Sequence, residues 1–181
     1  MVESSLVYHV SPSLDEVFNN DVRWVIPGLS AWSWFSQETG TPGMQMEYLD
    51  SASEFGWRYS IVDANWDMWT NDEEEIQKLV SHGAALYPPV GVWLWYNSGG
   101  SHNVVEERPR DRMLDAQIRR KEFHKISSWG VKGVKVTNLP FTAPTPLTLP
   151  SLLLISLLCV VFRWISGGPI SRIECNSIST C

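Results

Sequence analysis

Asp63, Asn97 and Lys135 stand at the ends of the short apolar runs "YSIVD", "VGVWLWYN" and "VKGVK". A carboxylate, a carboxamide and an ammonium placed at strand ends can converge on the hydroxyls of a polar ligand, while Trp32, Trp34, Trp66 and Trp95 offer flat faces on which a ligand ring can stack. Each residue has a second reading. Asp63 equally caps the loop that follows it, Lys135 equally extends into solvent, and Asn97 lies in a glycine-rich stretch, "YNSGGSHN", that could be only a turn. Strand alternation sends some of the indoles into core, so at most half of them should meet a ligand. The four histidines (His9, His82, His102 and His124) show no zinc-ligand spacing, and the three cysteines all lie beyond residue 158, so no metal site is expected.

The elements that must carry these residues alternate between strand and helix. Val25 to Trp34 forms the first strand candidate. A helix then opens at Thr41 as N-cap with Pro42 at its first position and closes near Gly56, with Met46, Leu49, Ala52 and Phe55 on one face. A second strand leads through Tyr59, Ile61 and Val62 to Asp63. The acidic run Asp72 to Glu75 suits the positive end of a second helix, which carries Ile76, Leu79 and Val80 and ends near Gly83. The nearly unbroken apolar run from Val90 to Asn97 reads as a strand covered on both faces. A third helix runs from about Asp111 to Trp129 with Leu114, Ile118, Phe123 and Ile126 inward, and Val131 to Val136 is the fourth strand. The order βαβαβαβ fits a doubly wound sheet or part of a (β/α)8 barrel. No phosphate-binding glycine motif follows any strand, whereas polar and aromatic residues gather at the strands' C-terminal ends, where barrel enzymes build their sites. The fold class expected is therefore α/β, the first half of a (β/α)8 barrel.

Composition fits one domain, since the chain has 181 residues, 44% of them apolar. The net charge of -6 argues against a nucleic-acid partner. Ten tryptophans exceed what packing requires, which suits a ligand with rings such as a sugar. Of the charged residues only Arg163, Arg172 and Glu174 follow Val136. This shift sets the expected organisation as an N-terminal extension at 1–21, a partial barrel at 22–136 and an unrelated tail at 137–181. The tail contains an apolar run, 151–162, shorter than the roughly 20 residues a spanning helix needs. Membrane association through it is the less favoured expectation, and the preferred one is that the tail derives from an unspliced intron or a shifted reading frame. Residues 1–14 lack the basic start and long apolar core of a secretory signal, so a cytoplasmic location is the default expectation, with a tail anchor as its alternative.

Four segments, "AWSWFS", "YLDSASEFGWRYSIVDANW", "VGVWLWYNSGGSHN" and "PRDRMLDAQIRRKEFHKISSWGVKGVKV", resemble, in that order, the catalytic barrel of glycoside hydrolase family 97. The resemblance covers about Val22 to Val136. It implies an α-glucoside or α-galactoside as partner, and Lys135 matches the lysine before the family's nucleophile; Trp32, Trp34, Asp63, Trp66 and Asn97 join it as expected substrate contacts from their place and residue type. Retaining members of the family continue the fourth strand as Lys-Val-Asp-Phe, with the Asp as nucleophile, and here that position is Thr137. A threonine hydroxyl without a base is a poor nucleophile, so the chain is expected to be an inactive, truncated relative. The family's calcium finds no matching carboxylates, and no cofactor is expected in this chain. The alternative function is a non-catalytic carbohydrate-binding or membrane-associated interaction protein. Half a barrel would also expose two sheet edges, and self-association through them is expected.

Overall fold

A computed structural model describes residues 26–101 and 105–137, together with the backbone of Leu158–Val161. The expected extension at 1–21, His102 and most of the tail lie outside the described residues. Four parallel strands form one sheet: β1 (Ser30–Trp32), β2 (Tyr59–Val62), β3 (Gly91–Asn97) and β4 (Gly133–Thr137), in sequence order. A short helix α1 (Trp34–Gln37) and the longer α2 (Pro42–Glu54) connect β1 to β2; α3 (Asp72–Ala85) connects β2 to β3, and α4 (Ala116–Ser128) connects β3 to β4. This is the βαβαβαβ order of the α/β reading. A further strand, β5 (Leu158–Val161), pairs antiparallel with β4, matching Gly133 to Val161 and Val136 to Leu158. Two expectations change with that pairing. The outer edge of β4 is occupied along four residues rather than open, and part of the apolar tail run is strand.

Local sequence explains the helix boundaries. Thr41 accepts the Met44 N–H at 3.3 Å, and Pro42 follows where a missing N–H costs nothing, so α2 starts there. Asp115 caps α4 by accepting the N–H groups of Gln117 and Ile118, which moves its start to Ala116, past the expected Asp111. Gly130, at φ +92, ends it in the left-handed region that glycine enters without a Cβ penalty. Gly83 serves closeness instead. A Cβ there would meet the Val90 carbonyl oxygen at 2.4 Å, and the bare backbone lets α3 approach β3 closely enough for Val90 N–H to reach Gly83 O at 2.9 Å.

Strand alternation divides the sheet into two faces. Val62, Val92, Leu94, Tyr96 and Val134 turn outward and join Leu49, Ile76, Leu79, Phe123 and Ile126 of the helices in the main core. Tyr59, Ile61 and Trp93 turn to the opposite, inner face and form a separate cluster with Trp32 against it. Helix faces differ from the periodicity reading at four positions. In α2 the buried residues are Gln45, Leu49, Ala52 and Ser53, while Met46 is half-buried and Phe55, the C-cap, is exposed. Leu114 precedes α4 and Ile118 lies in its first turn, and both are exposed. Finally, β1 spans three residues only, so Trp34 opens α1 instead of ending a strand.

Candidate active site

The C-terminal end of the inner face collects one tight polar group. Asp63 follows the last residue of β2, and its Oδ1 accepts the Ala64 N–H at 2.8 Å, which is the loop-capping role. Its Oδ2 accepts a second set of bonds, from Trp32 Nε1–H and from Lys135 Nζ at 2.9 Å. Lys135 reaches it across β3 from β4, and its ammonium lies 3.6 Å from the centroid of the Trp32 ring. Both charged side chains are nearly sealed from solvent, Asp63 at 4% and Lys135 at 6% exposure. A buried carboxylate and a buried ammonium hold each other in place, and the indole contributes both an N–H and a π-face to the pair.

The remaining sequence candidates go to different places. Asn97 is fully buried at the end of β3, where its Nδ2 donates to Val105 O at 3.2 Å and Glu107 O at 3.1 Å while its Oδ1 accepts the Gly99 N–H at 2.9 Å. These bonds fold the loop after β3 back on the strand end. Asn65 repeats the device by accepting the Arg108 N–H at 2.9 Å. A cleft of about 540 Å³ opens at these loops, lined by Asn65, Val105, Glu106 and Glu107. Trp66 lies in the main core with no exposed surface, its N–H bonded to Trp95 O at 2.9 Å and its ring edge-on to Tyr96. Trp34 is half-buried at the start of α1 and has no ring contact with the Asp63 group. Thr137 is the last residue of β4, one residue past the compositional boundary, and its Oγ1 accepts the Trp95 N–H at 2.8 Å.

The outer face holds a second charged cluster that the sequence reading missed. Tyr96 donates its hydroxyl to Glu122 Oε1 at 2.8 Å, Arg112 Nη1 reaches the same oxygen at 2.6 Å, and Arg108 and Arg112 flank Asp67 at 3.3 and 3.6 Å. Burial pushes the Tyr96 phenol well above its usual range, and the Glu122 carboxylate adds to that. For Arg112 burial works against the charge, but the hydrogen bond and charge of Glu122 outweigh it and the pKa is raised. Nothing in the local sequence marks this cluster, because its members come from a strand, a helix and two loops. Among the described residues no group of three or more His, Cys, Asp or Glu could hold a metal ion, and no helix is long and apolar enough to cross a membrane.

Four parallel strands with helices between them, and polar side chains converging at the strands' C-terminal ends, match part of a TIM-barrel-like glycoside hydrolase fold. The chain is similar to a probable retaining alpha-galactosidase of Streptomyces bingchenggensis (strain BCW-1), with 30% identity over 131 residues covering 64% of this chain and 18% of that protein. It is also similar to the crystal structure of a beta-arabinopyranosidase, with a TM-score of 0.61 and 32% identity over 74% of this chain and 20% of that one. The chain thus spans about a fifth of the length of each of these relatives. No family model matches it. The two relatives support a glycoside hydrolase-like protein.

Proposed function

We propose that the Asp63–Lys135–Trp32 group is a glycoside-binding surface in a protein related to glycoside hydrolase family 97, and that this chain does not itself cleave glycosides. The observation that carries the reading is the buried ion pair on the inner face. A carboxylate and an ammonium 2.9 Å apart set an acceptor and a donor side by side on the sheet face where the ring of a sugar would lie in a barrel. The name of the first relative, an alpha-galactosidase, favours a galacto-configured ring over a gluco-configured one. A half-buried Trp32 and the exposed Phe35 packed edge-on to it at 4.7 Å supply apolar surface beside the pair. Trp34, Trp66 and Asn97 then serve the frame rather than the ligand.

Hydrolysis is a separate matter. Retention needs two carboxyl groups about 5 to 5.5 Å apart, and inversion about 6.5 to 9.5 Å with a water between them. Thr137 occupies the position that matches the family's nucleophile, and Asp63 is engaged in its ion pair. Glu106 and Glu107 belong to the loop that Asn97 folds back and serve better as a cleft wall than as an acid and base. Binding without turnover is the outcome expected, together with self-association through the edge of β1, which pairs only with β2 among the described strands. Calorimetric titration with methyl α-galactoside, methyl α-glucoside and arabinose, beside assays of nitrophenyl α-galactoside and the matching disaccharides, tests the reading. Galactoside binding lost in Asp63→Asn, with no turnover by the unmodified chain or Thr137→Asp, is expected. Turnover of a disaccharide by the unmodified chain, or binding indifferent to Asp63→Asn, would overturn it.

A further inference from the structure

The two sides of the parallel sheet end differently. β1 closes one side with three residues, Ser30–Trp32, and an edge that short offers few unpaired backbone groups to another chain. β4 has five residues on the other side, Gly133–Thr137, of which Gly133, Val134 and Lys135 are buried. The seat beside it is taken by β5, with Gly133 opposite Val161, Val134 opposite Val160, Lys135 opposite Cys159 and Val136 opposite Leu158. Direction sets this strand apart. A fifth parallel neighbour would need a crossover like those made by α2, α3 and α4, whereas β5 runs antiparallel. It therefore fills the place of a barrel strand without carrying a parallel barrel on. Its sequence suits an edge, since Ser151 to Phe162 contains no charge and no proline and ends its strand in the β-branched pair Val160-Val161.

We propose that the outer edge of β4 is a strand-docking surface occupied by the chain's own Leu158–Val161, and that this segment competes there with the β1 edge of a second copy. The second copy is the fitting rival because β1 and β4 are the two outer members of one parallel set, so β4 of one copy against β1 of another continues the sheet in the same sense. Repeated about a two-fold axis, this joins four strands to four. About eight strands is the number whose barrel interior side chains just fill, and the inner face already carries Trp32, Tyr59, Ile61 and Trp93. An antiparallel strand along β4 blocks that closure. Being joined to β4 through residues 138–157, it meets the edge as an intramolecular neighbour, while a second copy must come from solution.

The test keeps the full chain and combines Cys159→Pro with Val160→Pro. Alternate N–H groups of an edge strand face its neighbour, so one of two consecutive prolines removes a donor aimed at β4 whichever it is. In dilute protein the amide exchange of Gly133–Thr137 should rise about tenfold, the effect of losing bonds worth about 1 kcal/mol each, while β2 and β3 stay protected and report a folded variant. At higher concentration light scattering should show a defined dimer in excess of any formed by the unmodified chain. Unchanged exchange in β4, an unchanged mass, or polydisperse aggregates in place of a dimer would overturn the proposal. A cross-link decides if the proline variant does not fold. Val136→Cys with Leu158→Cys, in a chain also carrying Cys159→Ser, Cys175→Ser and Cys181→Ser, sets two thiols at opposed positions of an antiparallel pair, within the separation a disulfide spans. Oxidation should join them inside one chain, and the product should associate no more than the unmodified chain does. No cross-link, or one found only between two chains, would sink docking of the segment on its own sheet. None of these readouts involves a sugar, so failure here and failure of the glycoside reading are told apart.

Discussion

Two buried charged clusters lie on opposite faces of one sheet, and they are built differently. The inner one joins the ends of β1 and β2 to the middle of β4 through a single carboxylate oxygen: Oδ2 of Asp63 takes both Trp32 and Lys135. The outer one ties a strand to a helix and two loops through several carboxylates and two arginines, with Tyr96, Glu122, Arg112, Asp67 and Arg108 in sequence. The inner cluster lies on the sheet face opposite the main core, with Phe35 of α1 packed edge-on to its Trp32. The outer cluster lies under α4 and holds the loop after β3. Burying ions costs free energy in both places, but only the outer pair is needed to dock an element of the fold. The comparison teaches that burial of charge does not by itself mark a site; the face it occupies and the elements it joins do.

The largest effect is expected at the inner cluster. Asp63→Ala leaves the Lys135 ammonium buried without its carboxylate, and a loss of about 3–5 kcal/mol in urea unfolding is expected for breaking such a pair. Replacing both charges, as Asp63→Leu with Lys135→Met, should recover most of that loss while sugar binding stays absent. Recovery of stability without recovery of binding separates function from folding at this site. A double variant as unstable as the single one would show instead that the pair is structural.

At the outer cluster Glu122→Gln should cost about 2–3 kcal/mol, less than a fully buried pair because Arg112 keeps some contact with water. Affinity for galactoside should stay within about twofold of the unmodified chain, since the proposed ligand surface lies on the other face, and the ~1.4 kcal/mol that makes a tenfold change should not appear. A large loss of affinity would break the comparison by showing that the outer cluster reaches the site through the loop it holds.

The pH dependence of the outer cluster has a definite sign. Tyr96 in the folded chain holds its proton well above 10, the ordinary value at which the unfolded chain releases it. Above pH 10 the unfolded state therefore binds fewer protons than the folded one, and stability must fall as pH rises. Stability tied to Tyr96 is fully present below pH 10 and is lost above it. Tyr96→Phe should be less stable at neutral pH by about 1 kcal/mol, the net worth of a typical hydrogen bond, and should show a shallower decline between pH 10 and 11. Tyr59, also raised by burial against a partial offset from Arg58, remains in both proteins and cancels in the difference. Parallel declines in thermal unfolding would remove Tyr96 as the cause.

The parts of this molecule that were legible in the sequence are those written in local pattern. Apolar runs ending in polar residues located β2, β3 and β4, and the Thr41-Pro42 pair located the start of α2. Three kinds of feature were not legible. Gln45 is buried on the α2 face because its amide nitrogen donates to Ser33 Oγ and Thr39 O, at 2.9 and 2.7 Å, and hydrophobic periodicity cannot see such donor bonds. Trp32 and Trp66 look alike in sequence, yet one is half-buried on the inner face and the other lies in the core, because a left-handed Asn65 turns the chain between β2 and Trp66. The pairing of Asp63 with Lys135 joins residues 72 apart, and strand-end position suggested nearness without fixing which oxygen is used.

The smallest effect expected concerns α4, the helix that carries Glu122 to the outer cluster. Periodicity placed Leu114, Ile118, Phe123 and Ile126 on one inward face, but the Asp115 cap starts the helix later, and Leu114 and Ile118 are 57% and 49% exposed. The buried residues of the helix are Glu122, Phe123 and Ile126, and Lys125 adds an ion pair to Glu73 of α3. Ile118→Gln should change unfolding free energy by less than about 0.5 kcal/mol, the range for exposed positions that make no special contact. Ile126→Ala, on the same helix with no exposed surface, should cost about 2–5 kcal/mol. If Ile118→Gln matched Ile126→Ala, the first turn of α4 would have to be packed in solution, and the outer cluster would share its docking role with an apolar contact. A null result at 118 beside a large one at 126 assigns the docking of α4 to the one stripe that also delivers Glu122 to Tyr96 and Arg112.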